Sequence, residues 1–385
     1  MNILFFCAGI ILLFAGIFNL ISAYIVYPLF LKYKSKKKTA HKNNNIKSVE
    51  ITKKFSFAII IPFYNENSVL IEKLNTIPLN FIIDTNSEII IINDGNINFN
   101  LDKLKKNITN QNLLKYTKFY KLSKHRGKSF ALYISAKSTN ADYLIFTDSN
   151  SKFKNDYFEN LQKILNTENL ELFGGLLDYE NKIDCELSEK KYWNYETSLK
   201  LTEQDAGLFN TGLFGSNIII KKNVYLTYPY YCFCDFSLPL YYQSANNKKI
   251  NLEDSLIVYE NPPDNSFSEI FKIKKRIIHR AFYGLLKYLK FKKINNVLLD
   301  QLYFHKISRW LTPYWLLFIL IGCYSIFGNF TIYIFLSGCL LIIALSKILR
   351  VNIKYIASVN LAAFCAVISF FIKPSLDKWL PSPKK

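Results

Sequence analysis

Two aspartates, Asp94 and Asp148, each stand directly after a short apolar, β-branched run, Glu88 to Ile92 in one case and Tyr143 to Thr147 in the other. In open parallel sheets, ligands bind outside the carboxyl ends of the strands. Two carboxylates at that edge suit a divalent cation together with a ribose or base. A single aspartate after a strand serves as readily as a turn residue or helix cap, so neither position decides the chemistry alone. Neither a GxGxxG turn nor a Walker-type Gly-Lys-Ser loop occurs, which argues against dinucleotide and P-loop chemistry.

These acids need a frame, and the surrounding pattern supplies one. Phe57 to Ile61 reads as a buried strand ended by Pro62, followed by a helix from Asn65 to Ile77. Glu88 to Ile92 is a second strand, Leu101 to Lys115 a helix, Lys118 to Leu122 a third strand and Tyr143 to Thr147 a fourth. Between the last two, Gly127-Lys128 opens a helix reaching Ser138. Strands alternating with helices imply an α/β unit with a mostly parallel sheet covered on both faces.

The flanks are different. Residues Ile3 to Leu31 carry no charge and are long enough to cross a hydrocarbon core of about 30 Å. The basic cluster Lys32, Lys34, Lys36, Lys37 and Lys38 follows this run, whereas a cleaved signal would carry its charge before it. Such a cluster stays in the cytoplasm, so the middle of the chain is expected there too. Three more apolar stretches follow, about Leu311–Phe327, Phe330–Leu345 and Tyr355–Ile372, with Gly328-Asn329 as a tight outer turn. Lysines at 373, 378, 384 and 385 oppose a third full crossing, so the last stretch is read as spanning, re-entrant or interfacial. Between 271 and 293, apolar and basic residues alternate at helical spacing, as in an amphipathic helix on the inner leaflet.

The net charge of +20 points to an anionic partner. Its concentration beside the apolar runs favours lipid headgroups, and no basic helix or aromatic RNA-binding motif supports nucleic acid. The seven cysteines lack zinc-ligand spacing and read as reduced thiols. The apolar runs are nearly free of charge, unlike the spans of a transporter.

From Phe57 to about Gly284 the chain resembles the membrane-bound family 2 glycosyltransferases, of the cellulose-synthase-like, polysaccharide-synthesis type. Ile60-Ile61-Pro62-Phe63-Tyr64-Asn65-Glu66 is similar to the family's "IP-x-YNE" start, and Ile92-Asn93-Asp94-Gly95-Asn96 to "DDGS". His125-Arg126-Gly127-Lys128 resembles "NRGK", and Asp148-Ser149-Asn150 resembles the metal-binding "DxD" as "DxN". Lys191-Tyr192-Trp193-Asn194-Tyr195-Glu196 resembles a segment preceding the acceptor site, and Cys234-Asp235-Phe236 the "DD" or "ED" pair. The resemblance implies a GT-A, Rossmann-like fold with one N-terminal and two to three C-terminal transmembrane helices. It implies donor contacts from Glu66, Asp94, Lys128, Asp148 and Arg276, with Mg²⁺ or Mn²⁺ held by Asp148 and Asn150. Asp235 is implied as the general base in an inverting displacement. Arg276 falls where the family has "QxxRW", but Ile273-Lys274-Lys275-Arg276-Ile277 keeps only the arginine.

The expected organisation is a transmembrane helix (1–31), a basic linker (32–55), a catalytic domain (56–270), interfacial helices (271–305), transmembrane helices (306–373) and a tail (374–385). The expected activity is sugar transfer from a nucleotide sugar, taken as a UDP-sugar, to a cell-envelope glycan or lipid-linked acceptor. The expected site of action is the cytoplasmic face of a bacterial inner membrane. Neutral replacements at Asn93, Asn150 and Cys234 leave an inactive nucleotide-sugar-binding scaffold as the competing reading.

Overall fold

The computed structural model describes residues 3–39, 54–64, 67–96, 100–179, 187–229, 235–261, 266–290, 294–348 and 352–372. Two helices, α1 Ile3–Ile21 and α2 Tyr27–Thr39, come first and are joined without a break by a π-helical turn, Ser22–Val26. The strands are β1 Phe57–Phe63, β2 Glu88–Asn93, β3 Thr117–Lys121, β4 Tyr143–Phe146, β5 Ser151–Phe153, β6 Leu172–Tyr179, β7 Ile218–Lys221 and β8 Asn251–Glu260. Among the described residues they form one sheet in the order β3-β2-β1-β4-β7-β6-β8-β5.

Half of this sheet follows from the strand–helix alternation. β3, β2, β1 and β4 run parallel. The other half does not: β7 lies antiparallel to both β4 and β6, and β5 antiparallel to β8, while β6 and β8 are parallel. The sheet is therefore mixed, with six strands running one way as the mostly parallel reading expects and β7 and β5 opposed to them. Strand β1 also runs through Pro62 instead of ending before it. Its pairing with β4 stops at Ile60, so Pro62 has β2 alone as neighbour. A proline lacks an N–H to donate and is tolerated on such an open flank.

The helices around the sheet are α3 Asn67–Leu74, α4 Leu79–Asp84, α5 Leu101–Asn107, α6 Lys128–Lys137, α7 Tyr157–Thr167, α8 Leu187–Asp205, α9 Lys222–Tyr225 and α10 Ser237–Asn246. The helix expected over Leu101 to Lys115 is split. α5 is capped by Asn100, whose side chain accepts from Lys103 N–H at 2.9 Å, a contribution of about 1 kcal/mol. It stops where Asn107, Ile108, Thr109 and Asn110, all weak helix formers, push Ile108 into extended backbone. Alternate residues of the central strands feed two cores. Phe57, Ile59 and Ile61 pack on one face, Ala58 and Ile60 on the other, all buried. Each fully buried isoleucine contributes about 1.5–3 kcal/mol.

The C-terminal helices are α11 Phe267–Leu289, α12 Asn296–Leu302, α13 Ser308–Trp310, α14 Thr312–Phe327, α15 Thr331–Ile348 and α16 Ile353–Ile372. α11 is the amphipathic helix expected from 271, and part of its apolar stripe packs inward while Ile277 stays exposed. Ala281, Leu285 and Tyr288 join the core beneath the sheet, and Ile278 packs on Ala363 and Ala366 of α16. Ser358 Oγ donates to Phe267 O at 2.8 Å, and Phe370 meets Phe282 at 5.7 Å between ring centroids, so α11 and α16 run side by side in the same direction. α1 packs against α14 in the opposite sense, Gly9 facing Ser325 and Gly16 facing Trp315. A Cβ on Gly9 would lie 1.5 Å from Ser325 Oγ, so only a small residue lets these helices approach so closely. Three stretches, Ile3–Lys37, Thr312–Ile348 and Ile353–Ile372, are long and apolar enough to cross a membrane.

Candidate active site

The turn before α6 is fixed by a buried acid. Asp94 is 0% exposed; its Oδ1 accepts from Arg126 N–H at 2.8 Å, and its Oδ2 from Gly127 N–H at 2.8 Å. The His125 Nδ1 lies 2.9 Å from Oδ2 as well. Burial pushes the Asp94 carboxyl up, and these donors offset only part of the rise. Gly95 permits the approach, since a Cβ there would lie 2.3 Å from His125 N. The held turn leaves Gly127 at φ +92°, a conformation that favours glycine. α6 then starts at Lys128, whose Nζ reaches the Asp148 carboxylate at the end of β4 and donates to Gly215 O at 3.0 Å.

Asp148 and Lys128 border a cavity of about 350 Å³, also lined by Asn150, Asp235, Glu260 and Arg276. The residues come from five places in the fold: the end of β4, the start of α6, the turn before α10, the end of β8, and α11. Beneath Asp235 runs the glycine-containing segment 210–217. Leu213 N–H donates to Asp235 O at 2.8 Å, and a Cβ on Gly215 would lie 3.3 Å from Asp235 Cβ and 3.6 Å from Lys128 Nζ. Gly215 thus keeps the gap between the aspartate and the lysine open.

The opposite wall is built on α8. Its Glu189, Glu196 and Glu203 are seven residues apart, hence near one face of the helix. All three are buried. Glu189 binds Lys274 Nζ at 2.8 Å, and accepts from Trp193 Nε1 at 2.9 Å and Tyr355 Oη at 2.6 Å. Glu196 meets Lys306, Arg309 at 3.1 Å and His305 Nε2 at 3.3 Å. Glu203 takes His305 Nδ1 at 2.7 Å and Tyr27 Oη at 2.6 Å. Burial alone would raise the Glu196 carboxyl, but Lys306, His305 and Arg309 hold it well below the usual range. These bonds tie α8 to α2, to the 303–310 segment, to α11 and to α16.

Of the residues singled out in the sequence, Lys128, Asp148, Asn150, Asp235 and Arg276 line one cavity. Asp94 does not; its oxygens hold the 125–127 turn. Glu66 lies outside the described residues, as do Cys185, Cys232 and Cys234. Lys274, grouped with Arg276 by sequence, is turned away into its pair with Glu189. Three features were missed. Glu260 ends β8 just before Pro262-Pro263, where its Oε2 accepts from Asn150 Nδ2 at 3.4 Å; an acid closing a strand was the signal already used for Asp94 and Asp148. Lys306-Ile307-Ser308-Arg309-Trp310 keeps both the arginine and the tryptophan sought at 273–277, and Trp310 lines the cavity against Phe236. Lys73 is 0% exposed, with Nζ donating to Thr147 Oγ1 at 2.7 Å and Ser151 Oγ at 3.2 Å under the Asp148 edge. Burial holds it well below the usual lysine range, against the pull of Asp148 and Glu260.

Among the described residues, no three His, Cys, Asp or Glu side chains converge as a metal cage. The oxygen-bearing groups at the cavity edge, Asp148, Asn150 and Glu260, nevertheless fit a hard divalent cation that takes its other ligands from phosphate and water.

Comparison with known proteins matches this arrangement to one family. The model of glycosyl transferase family 2 matches residues 58–226. No curated protein is a match to the chain. Among solved structures, the mannosyltransferase PcManGT from Pyrobaculum calidifontis, in complex with GDP-Man and Mn²⁺, is similar with a TM-score of 0.68 at 14% identity. That likeness covers 96% of this chain and 100% of the other, apolar helices included. GalNAc-T7 with UDP, GalNAc and Mn²⁺ gives a TM-score of 0.42 at 12% identity, over 60% of this chain and 47% of that one. Glucosyl-3-phosphoglycerate synthase from Mycobacterium tuberculosis gives a TM-score of 0.42 at 15% identity, over 61% and 79%. The 58–226 segment is a glycosyl transferase family 2 domain, and the chain is a glycosyltransferase with a GT-A fold.

Proposed function

We propose that this chain is a membrane-anchored transferase that moves a sugar from a nucleoside-diphosphate sugar to an acceptor hydroxyl in one inverting displacement. The supporting observation is the convergence of Lys128, Asp148, Asp235 and Arg276 on one cavity. Asp148 and Asn150 would hold Mg²⁺ or Mn²⁺ at its sheet edge. When bound, the cation offsets the charge that develops on the departing diphosphate. Lys128 and Arg276 add fixed positive charge toward the same group. Asp235 accepts the acceptor hydroxyl's proton as that oxygen attacks the anomeric carbon. Asp94 serves the donor indirectly, by holding the turn that delivers Lys128, and Glu66 is assigned to the donor by resemblance alone.

The acceptor is a cell-envelope glycan or a lipid-linked molecule, supplied from the membrane side. The helices flanking the family domain anchor it, and Lys32 to Lys38 keep it on the cytoplasmic face of a bacterial inner membrane. The division proposed is an anchor (1–31), linker (32–55), catalytic domain (56–270), interfacial helices (271–305), C-terminal spans (306–373) and tail (374–385). The UDP moiety rests on the resemblance alone. The test is a panel of nucleotide sugars with purified protein in detergent, with and without divalent cation, scored by nucleotide diphosphate release. Cation-dependent release with one donor supports the proposal. Donor binding without release from any donor would favour the inactive scaffold.

A further inference from the structure

Lys73 stands in the last turn of α3, where its residue type alone would place it in water. It is instead fully buried, with the centre of the Phe153 ring 3.3 Å from its Nζ. Its helix neighbours Leu70 and Leu74 belong to the core on that face of the sheet. A methionine or leucine would fill the same space without the cost of burying a polar group. Packing therefore does not account for a lysine here, and its hydrogen bonds must.

Those bonds meet at one turn. Nζ donates to Thr147 Oγ1 at 2.7 Å and to Ser151 Oγ at 3.2 Å, and both hydroxyl residues are fully buried. They bracket Asp148-Ser149-Asn150, between the end of β4 and the start of β5. Ser151 Oγ donates to Asp148 O at 2.9 Å, which uses its single hydrogen. In the 2.9 Å contact between the two hydroxyls, Thr147 must then be the donor. With both hydrogens committed, each oxygen can only accept from the lysine. The network runs one way, from Lys73 through Thr147 and Ser151 to the Asp148 carbonyl. It needs only two hydrogens on the nitrogen, so it holds for a charged or a neutral amine. Thr76 extends the same stitch: its Oγ1 donates to Lys73 O at 2.7 Å and accepts from Phe153 N–H at 3.3 Å. Lys73 thus lies beneath the cavity edge and acts on it through the turn.

We propose that Lys73 is a positioning residue for the divalent cation: it locks both ends of the 147–151 turn and so presents Asp148 and Asn150 as a preformed pair of ligands. The word cation rests on the proposed function, whereas the hold on the turn is testable without metal or donor.

Three variants of the full chain in detergent separate this role from plain packing. Lys73→Met removes both bonds at similar volume, Lys73→Gln keeps two N–H donors on a shorter side chain, and Thr147→Val removes one acceptor from the other side. Hydrogen–deuterium exchange of the 147–151 segment is followed by mass spectrometry in metal-free protein, with β2 as reference. Lys73→Met should speed exchange in that segment at least about ten-fold and leave β2 unchanged. It should not lower the melting temperature, because an apolar side chain replaces a buried polar one. Lys73→Gln should stay within about three-fold of the wild type. Thr147→Val should also speed exchange in the turn, which keeps the test open if Lys73→Met does not fold. In a Mn²⁺ titration of nucleotide diphosphate release, the Lys73→Met midpoint should rise about 10–100-fold, with the donor KM at saturating Mn²⁺ within about three-fold. Unchanged exchange in Lys73→Met and Thr147→Val, or an unchanged Mn²⁺ midpoint, overturns the proposal. A lowered melting temperature with faster exchange in β2 as well would make Lys73 a general support of the fold, and overturns it too. Faster exchange confined to the turn, with a wild type that turns over no donor or is indifferent to chelator, would mean that the cation reading has failed while the hold on the turn stands.

Discussion

Gly215 offers a direct perturbation of the proposed chemistry, because it separates the base assigned to the acceptor from the lysine assigned to the donor's diphosphate. A Cβ built there lies 3.3 Å from Asp235 Cβ, 3.7 Å from Asp235 Cγ and 3.6 Å from Lys128 Nζ. Its φ is not positive, so alanine meets no backbone penalty and the effect is purely one of space. The first distance is tighter than ordinary carbon contact, so Gly215→Ala should push Asp235 by a few tenths of an ångström. Gly215→Val adds two methyl groups near the same gap. A misplacement of about 1 Å can cost about 10²-fold in rate, so alanine should lower kcat by about 3–10-fold and valine by about 10²-fold. Both side chains enter a cavity rather than a packed core, so the melting temperature should hardly move. Gly175→Ala is the contrasting control: its Cβ would fall 2.1 Å from Leu256 O inside the sheet, so it should unfold the domain. Nucleotide diphosphate release, measured beside a thermal melt, separates the two behaviours. A Gly215→Val protein turning over at the wild-type rate would refute the idea that Asp235 activates the acceptor while Lys128, across the same gap, holds the donor's diphosphate.

Other outcomes follow from the same geometry. Glu196→Gln leaves Lys306 and Arg309 without their buried counter-charge and should cost about 3–5 kcal/mol, read as lost stability in denaturant. Gly9→Leu should part α1 from α14 and lower the melting temperature in detergent, since overpacking costs about 1–3 kcal/mol; unchanged melting would mean the helices do not pack this way. Burial gives Lys200 on α8 a folded-state value of about 7, below its unfolded value, so between the two the unfolded chain binds more protons and stability rises with pH. Lys200→Met should therefore raise the melting temperature more at pH 6 than at pH 9, and an equal shift at both would contradict the depressed lysine.

The strands β1, β2 and β4 were legible because strands buried on both faces must be continuous apolar runs, and the acids after β2 and β4 stand out against them; β3, an edge strand with no buried residue, fitted only as the next strand in the alternation. The antiparallel insertion of β7 was not legible, because Ile218 to Ile220 is too short a run to declare its partners. Lys128, Asp148, Asn150, Asp235 and Arg276 could be proposed from local motifs and do line one cavity. The α8 glutamates could not be read the same way. Glu189 finds its partners 85 and 166 residues away, and Glu196 finds Arg309 after 113. A charged helix with distant partners looks like a solvated one until the fold closes. The same reason hid Lys73 and Lys200, two lysines that composition alone would assign to the surface. Arg276 was chosen over Arg309 for "QxxRW" although the latter has its tryptophan, a signal present in the sequence.

The measurement that bears most directly on the central claim is a paired titration and turnover assay of Asp235→Asn against the wild type, with the donor identified by the nucleotide-sugar panel. Asn preserves the shape of the side chain and removes its basicity. The account predicts donor affinity within about three-fold of wild type and a turnover lower by about 10²–10⁴, the range expected for a lost general base. Full turnover in Asp235→Asn would contradict it, and the proton of the acceptor hydroxyl would then have to leave by another route.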